Sequence, residues 1–310
     1  MTTAARHRAM PGETQVAEVR LTHPDRVLYP EQGLTKRDLA RFYEEISDWI
    51  LPNVVERPLS LLRCPEGRGK QCFFQKHATA GLPEYLKPVK IKESAGASQY
   101  LYVEGVKGLV GLVQMGVLEI HPWGSRVGRV ETPDLLTLDL DPAPGVPWAR
   151  VADAARRARA LLEELGLASF VKTSGGKGLH VVVPLSPRAS WLTLKHFSQA
   201  IAEELVRRHP KDYTATLSKS ARAGKIFLDY LRNTRGATVV AAYSTRARAG
   251  APVSTPLAWD ELGGGGSDRF TVKSLPKRLA TLKTDPWAGY FKTRQSISGK
   301  FLAALKRELR

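Results

Sequence analysis

The chain has 310 residues, 43% of them hydrophobic, enough to bury a sizeable core in one large domain or two moderate ones. Its 47 Lys and Arg outnumber 30 Asp and Glu, a net charge of +17; an enzyme of small neutral substrates has no need of that excess, whereas a polyanion, nucleic acid first, accounts for it. There is no apolar run near 18 residues and no basic amphipathic anchor, which argues against a membrane partner.

Met1–Val16, rich in Ala, Thr, Arg, Pro and Gly without periodicity, reads as a disordered lead-in or the end of a linker, with the folded domain beginning near residue 18. It has no apolar core of a signal peptide, so the expected location is cytoplasmic. Val19–Leu21 reads as a short strand and His23–Arg26 as a turn. Thr35 is the expected N-cap of a helix over roughly Lys36–Ile50, with Asp38 as a weak capping-box partner and Leu39, Phe42, Tyr43, Ile46 and Ile50 at helical spacing. Lys36 stands at that N-terminus, where the dipole favours an anion, and Arg26 lies in the turn before it. Solvated cations are the commoner outcome there; a pocket for one phosphate is the functional one.

Leu59–Leu62 reads as a buried strand, and Arg63–Lys70 as a basic loop. Cys64 and Cys72 fit neither a disulfide framework nor a C-x₂-C metal motif, which predicts two separate reduced thiols. Phe73 and Phe74, beside Lys76 and His77, either divide between core and solvent on a strand or stack together on bases. Tyr100–Val103 is an expected strand and Leu109–Met115 an apolar segment. Val117–Trp123 alternates and carries His121 near its end.

In Leu135–Pro142, Leu136, Leu138 and Leu140 alternate with Thr137, Asp139 and Asp141, a period of two that reads as a strand. Asp139 and Asp141 then share one face. Two carboxylates so close repel unless one is protonated or a cation lies between them, and a hard divalent metal prefers such oxygens. Trp148–Leu165 reads as a helix with Gly166 at its end. Phe170–Leu185 reads as strand, glycine loop, strand. It lacks P-loop spacing, yet Ser174, Lys177 and the loop N–H groups suit a phosphate, and His180 begins the second strand. Ser190–His209 is a second long helix. In the strand Ile226–Asn233, Asp229 is embedded in an apolar run, where an acid is costly to bury unless paired or metal-bound. Val239–Tyr243 is another expected strand, leading to Arg246. Gly263–Ser267 is a spacer, and Leu275–Leu282 and Ser298–Leu309 are peripheral C-terminal helices.

Strands alternating with moderate helices predict an α/β or α+β core. Three carboxylates from neighbouring strands can hold two metals about 3.5–4 Å apart for in-line displacement at phosphorus. The ordered set Asp139-Leu140-Asp141-Pro142, Ser174-Gly175-Gly176-Lys177-Gly178-Leu179-His180 and Phe227-Leu228-Asp229 resembles the polymerase domain of bacterial ligase D, in the archaeo-eukaryotic primase superfamily. Val27-Leu28-Tyr29-Pro30, Cys72-Phe73-Phe74, His121, Arg222-Ala223-Gly224-Lys225 and Tyr243-Ser244-Thr245-Arg246 match as well.

The resemblance implies a primase-type core with an RRM-like sheet flanked by helices. It implies a template-dependent nucleotidyltransferase that adds ribo- or deoxynucleotides to a DNA 3′-OH at gaps and double-strand-break ends. By the same resemblance, Asp139, Asp141 and Asp229 hold two Mn²⁺ or Mg²⁺ ions. His121, Ser174, Lys177, His180, Arg222, Arg232 and Arg246 face the incoming nucleoside triphosphate, Phe73 and Phe74 stack on bases, and Arg26 and Lys36 take a 5′-phosphate. Ku and a ligase domain are the implied partners, and the nucleoid the implied location. No K-x-D-G motif of a ligase is found, so a freestanding homologue or an excised domain is expected. The competing readings are a noncatalytic DNA-end binder, which has no use for Asp229, and a metal-dependent nuclease, which does not need the cationic cluster.

Overall fold

A computed structural model describes residues 14–79, 81–94, 96–218 and 220–297. The first strands form small hairpins. β1 (Thr14–Val16) pairs with β2 (Val19–Leu21), and β3 (Val27–Tyr29) with β4 (Leu34–Thr35). The last residues of the expected lead-in are thus strand, because Val16 is buried in the core; residues 1–13 lie outside the described residues. Thr35 caps α1 (Lys36–Glu45): its side chain accepts the Asp38 N–H and the Asp38 carboxylate takes the Thr35 N–H. The expected single helix breaks at Ile46, where the backbone leaves helical geometry, and resumes as α2 (Ser47–Val54), with Ile46, Ile50 and Val54 all buried.

β5 (Leu59–Arg63) is the centre of an antiparallel sheet with β6 (Phe73–Gln75), β8 (Gly96–Tyr102) and β9 (Val117–Pro122), and β7 (Lys87–Glu93) pairs with β8. The apolar segment before β9 is a helix, α3 (Val106–Gln114), which buries Leu109, Val110, Leu112 and Val113. The cysteines are not separate thiols. Arg63 and Phe73 are paired across β5 and β6, so Cys64 and Cys72 fall at the next position of that ladder, 4.3 Å apart at Cα, and form a disulfide. Neither Phe73 nor Phe74 enters the core; they are 43% and 59% exposed, because β6 is a short strand at the edge of its sheet.

The second sheet is built from β10 (Leu135–Pro142), β11 (Phe170–Thr173), β12 (Leu179–Pro184), β13 (Tyr213–Thr214), β14 (Ile226–Asp229) and β15 (Pro256–Leu257). Its order is β13-β14-β10-β12-β11-β15, antiparallel except for the β13–β14 pair. α4 (Trp148–Glu164) and α5 (Trp191–Arg208) cover one face, where Leu136, Leu138, Leu140, Val181 and Val183 pack with Ala155, Ala158, Leu194 and Phe197. Strict alternation sends Thr137, Asp139 and His180 to the opposite face, toward β9. The mixed α+β architecture agrees with the sequence expectation.

Val239–Tyr243 forms no strand. Its backbone makes single bonds in two directions, Ala241 N–H to the Ile120 carbonyl (2.9 Å) and Tyr243 N–H to the Ser254 carbonyl (2.6 Å), so it bridges the two halves instead of joining a ladder. α6 (Leu275–Thr281) occurs as expected, whereas Ser298–Leu309 lies outside the described residues. Among the described residues no helix is long and apolar enough to cross a membrane.

Asn233 ties the turn after β14 to β10. It accepts the Thr137 N–H (2.8 Å) and donates to the Thr137 and Tyr230 carbonyls (2.8 and 3.0 Å) while almost fully buried. Asn233→Ala should therefore cost about 2–3 kcal/mol in urea unfolding, since it strands buried backbone groups; a loss under 0.5 kcal/mol would contradict this role.

Candidate active site

Four paired positions make one rung across the second sheet. Lys172 on β11 faces His180 on β12, His180 faces Asp139 on β10, and Asp139 faces Asp229 on β14. Their side chains share the face away from the helices, and Asp141 joins them two residues beyond Asp139. One carboxylate oxygen from each of Asp139, Asp141 and Asp229 lies within 4.8 Å of the others. The sequence-derived triad therefore converges.

The charges around the triad are arranged to tolerate this crowding. Arg232 Nε lies 3.3 Å from Asp139 and 3.1 Å from Asp229, and Asp229 also accepts the Leu231 N–H at 3.0 Å. Burial works against ionising Asp139, but His180, Arg232 and Lys172 hold its pKa low. Asp141 goes the other way: burial and the Asp139 charge push it up to about 6. Asp229 is also raised, chiefly by burial. His180 is pushed down to about 4 by burial and then by Lys172, so its ring is neutral near pH 7 and its 3.3 Å approach to Asp139 is not an ion pair there. Asp139 Oδ1 is buried without an aligned hydrogen-bond donor. A lone pair left bare in a hard-oxygen cluster fits a divalent cation.

Beside the triad, the Ser174–Gly178 turn joins β11 to β12. Ser174 Oγ accepts the Gly176 and Gly178 N–H groups, both at 3.2 Å, and Ser267 locks the turn from outside by donating to the Gly178 carbonyl (2.7 Å). Gly175 adopts φ +63°, and Arg246 lies so close that a Cβ there would meet its Cγ at 2.8 Å. A Cβ on Gly178 would fall 2.0 Å from the Leu140 carbonyl oxygen, so the turn packs against the metal strand only with glycine.

Asp139 and Asp141 of the triad and the glycine turn open on one cleft of about 730 Å³, with Asp229 set behind them within 4.8 Å. His121, Ser174, Lys177, His180, Arg222, Arg232 and Arg246 all line it. Phe74 also lines it, with its ring edge-on to His121 at 5.5 Å, whereas Phe73 lies outside beneath Arg63. Arg222 covers the Phe227 ring at 3.6 Å.

Arg26 and Lys36 come together away from the cleft. Arg26 donates to the Pro65 carbonyl (2.8 Å); Lys36 is buried, donating to the Thr22 and Gln114 carbonyls (2.9 and 3.3 Å), and burial with Arg26 nearby lowers it to about 8. Lys36 is therefore no solvated surface cation.

Sequence reading missed Lys172, Glu119, Arg248 and Ser267. Lys172 lies two residues before Ser174 in a run that reads as an ordinary strand. Glu119 lies two before His121 on an alternating strand, and that spacing was the available signal. Arg248 and Ser267 reach the site through folding alone.

Two outcomes follow. A carboxyl raised in the folded state stabilises it below its unfolded pKa and loses that contribution as pH rises through the folded value. The metal-free protein should thus lose stability on Asp141's account between about pH 4 and pH 6. Mn²⁺ should raise the melting temperature more at pH 7.5 than at pH 5, and Asp141→Asn should raise the metal-free value while removing most of the Mn²⁺ shift; equal shifts in both proteins would refute the site. Gly178→Ala should cost about 3 kcal/mol in denaturant unfolding through its clash, while Gly176→Ala, whose Cβ would meet nothing nearer than 3.4 Å, should be nearly neutral.

Residues 35–287 match the family model described as LigD, primase-polymerase domain. The chain is 44% identical over 295 residues to the multifunctional non-homologous end joining protein LigD of Pseudomonas aeruginosa, covering 94% of this chain and 35% of that protein. It is 30% identical over 265 residues to the bifunctional non-homologous end joining protein LigD of Bacillus subtilis, covering 84% of this chain and 42% of that one. The chain thus spans a third to two fifths of the length of these relatives. Its fold is similar to the polymerase domain of Mycobacterium tuberculosis ligase D, solved in complex with DNA, with a TM-score of 0.80, 31% identity, and coverage of 84% of this chain and 94% of that one. Together with the converging acid triad beside the glycine turn, these likenesses identify the chain as a member of the LigD primase-polymerase domain family.

Proposed function

We propose that the protein is a template-dependent nucleotidyltransferase that extends a DNA 3′-OH at gaps and double-strand-break ends. The observation that carries this reading is the convergence of Asp139, Asp141 and Asp229 at a cleft that Asp139 and Asp141 line together with the Ser174–Gly178 turn and five cations, Lys177, Arg222, Arg232, Arg246 and Arg248. Such a cleft suits a metal-loaded triphosphate beside an acidic end.

The triad would hold two divalent ions, Mn²⁺ or Mg²⁺, which supply a deprotonated 3′-oxygen nucleophile and neutralise the pyrophosphate that leaves. The protein's own part is positioning. Lys177 is exposed on the turn and reaches the polyphosphate. Arg246 is anchored by its Nη1 to the Ser174 carbonyl at 2.5 Å, which points its charge at the same end of the cleft. Arg232 balances the acids and keeps Asp139 and Asp229 close. His180 stays neutral and fills the floor. Phe74 offers a ring to a base at the cleft mouth, and Phe73 extends that face outward.

On the same reading Arg26 and Lys36 take a 5′-phosphate: half-buried Arg26 is the member able to meet it, while Lys36, already donating to the Thr22 and Gln114 carbonyls, adds its charge from behind. Ribo- and deoxynucleotides are both candidate substrates. On this reading the protein works on chromosomal DNA in the cytoplasm, with Ku and a ligase domain as partners; the end-joining names of its relatives support that setting.

Primer extension on gapped DNA with Mn²⁺ tests the reading. Asp139→Ala should lower extension about 10³-fold, the loss of several kcal/mol of charge stabilisation; undiminished extension would refute it. Cleavage of labelled DNA with Mn²⁺ and no nucleotide would favour the nuclease instead. Arg26→Ala should weaken binding about tenfold on 5′-phosphorylated gaps alone, and an equal loss on 5′-hydroxyl gaps would remove that pocket.

A further inference from the structure

Glu119 is a second kind of acid in this cleft. It lies on β9, is only 4% exposed, and stands outside the metal triad. Its carboxylate makes three polar contacts. Oε2 lies 2.8 Å from His121 Nε2 and 3.0 Å from Arg246 Nε, and Oε1 accepts the Ala247 N–H at 2.9 Å. Burial works against its charge, but His121 and Arg246 hold it ionised, at a pKa of about 2.

An ionised carboxylate only accepts hydrogen bonds. The hydrogen of the neutral His121 ring therefore sits on Nε2, and Nδ1 carries a lone pair. No other hydrogen bond to that ring is found among the described residues, and the ring lines the cleft beside Phe74. Arg246 is set by the same carboxylate on one side and by the Ser174 carbonyl on the other. One buried acid thus fixes an acceptor and a cation on the same wall. Phosphate oxygens offer no hydrogen to an acceptor near neutral pH; a sugar hydroxyl does.

We propose that Glu119 is a positioning residue that presents His121 Nδ1 as the acceptor for a sugar hydroxyl of the incoming nucleotide and aims Arg246 at its phosphates. This rests on the nucleotidyltransferase reading. Glu119 never touches the reacting atoms; it acts through the tautomer of one partner and the direction of the other.

The test uses the full chain. Two-bond ¹H–¹⁵N NMR of the histidine rings, with His121→Ala for assignment, should show the His121 proton on Nε2 in the wild type and a mixture of tautomers in Glu119→Gln. In primer extension with Mn²⁺, Glu119→Gln should raise the nucleotide KM about tenfold and leave kcat within about threefold. It should also leave the Mn²⁺-induced shift in melting temperature intact. In a His121→Ala background the same substitution should cost only about twofold more. A wild-type proton on Nδ1, an unchanged KM, or an equal loss with and without His121 would each overturn the proposal. Were Glu119→Gln to fail to fold, the wild-type tautomer would still decide. Absence of extension by the wild type would sink the polymerase reading, while the tautomer measurement would still judge Glu119.

Discussion

The structure turns on one repulsion. Asp139 and Asp229 are direct partners across β10 and β14, and Asp141 stands one step along the same face, with ligand oxygens no more than 4.8 Å apart. At an effective dielectric constant of about 20, two ionised carboxylates at that separation oppose each other by about 3 kcal/mol or more. Folding alone gains nothing from such an arrangement. It persists because the ladder forces the pairing and because Arg232 spans the two buried acids from outside the strands.

The surrounding sheet distributes charge around that repulsion. Along the rung, Lys172 comes first, with burial pushing its pKa well below the usual lysine range, then neutral His180, then the acids. Lys172 is buried and its Nζ donates to the Val240 carbonyl (3.0 Å) and Ser254 hydroxyl (2.7 Å), so it fastens the bridging segment to the sheet. A cation held by the acids would relieve the carboxylate crowding at the end of that rung. The opposite face needs no such compensation, because its leucines and valines are buried under α4 and α5.

The cleft has two walls of separate origin. The metal wall comes from β10 and β14, and the second wall from β9 with the chain around Arg246. Within the second wall the Ala241 N–H on the Ile120 carbonyl holds the chain before Arg246 to β9, and Arg246 ties that wall to the glycine turn through the Ser174 carbonyl. Glu119 does for the second wall what Arg232 does for the first: each is a buried or half-buried charge that orders its neighbours. The glycine turn lies between the walls, and its close packing on Leu140 fixes it against the strand that carries Asp139 and Asp141.

Much of this was legible in the sequence. Period-two alternation in Leu135–Pro142 put Asp139 and Asp141 on one face, the capping pair Thr35 and Asp38 located α1, and the acid in the apolar Ile226–Asn233 run marked Asp229, because local spacing and the cost of burying a charge are properties of short segments. What only the tertiary structure decided depends on registers between distant segments. The alignment of Asp139 with Asp229, the capture of His121 and Arg246 by Glu119, the closure of Cys64 on Cys72 across a hairpin, the exposure of both phenylalanines and the burial of Lys36 all follow from which strands become neighbours. No local pattern encodes that choice, since it is made by burying one whole face of each sheet at once.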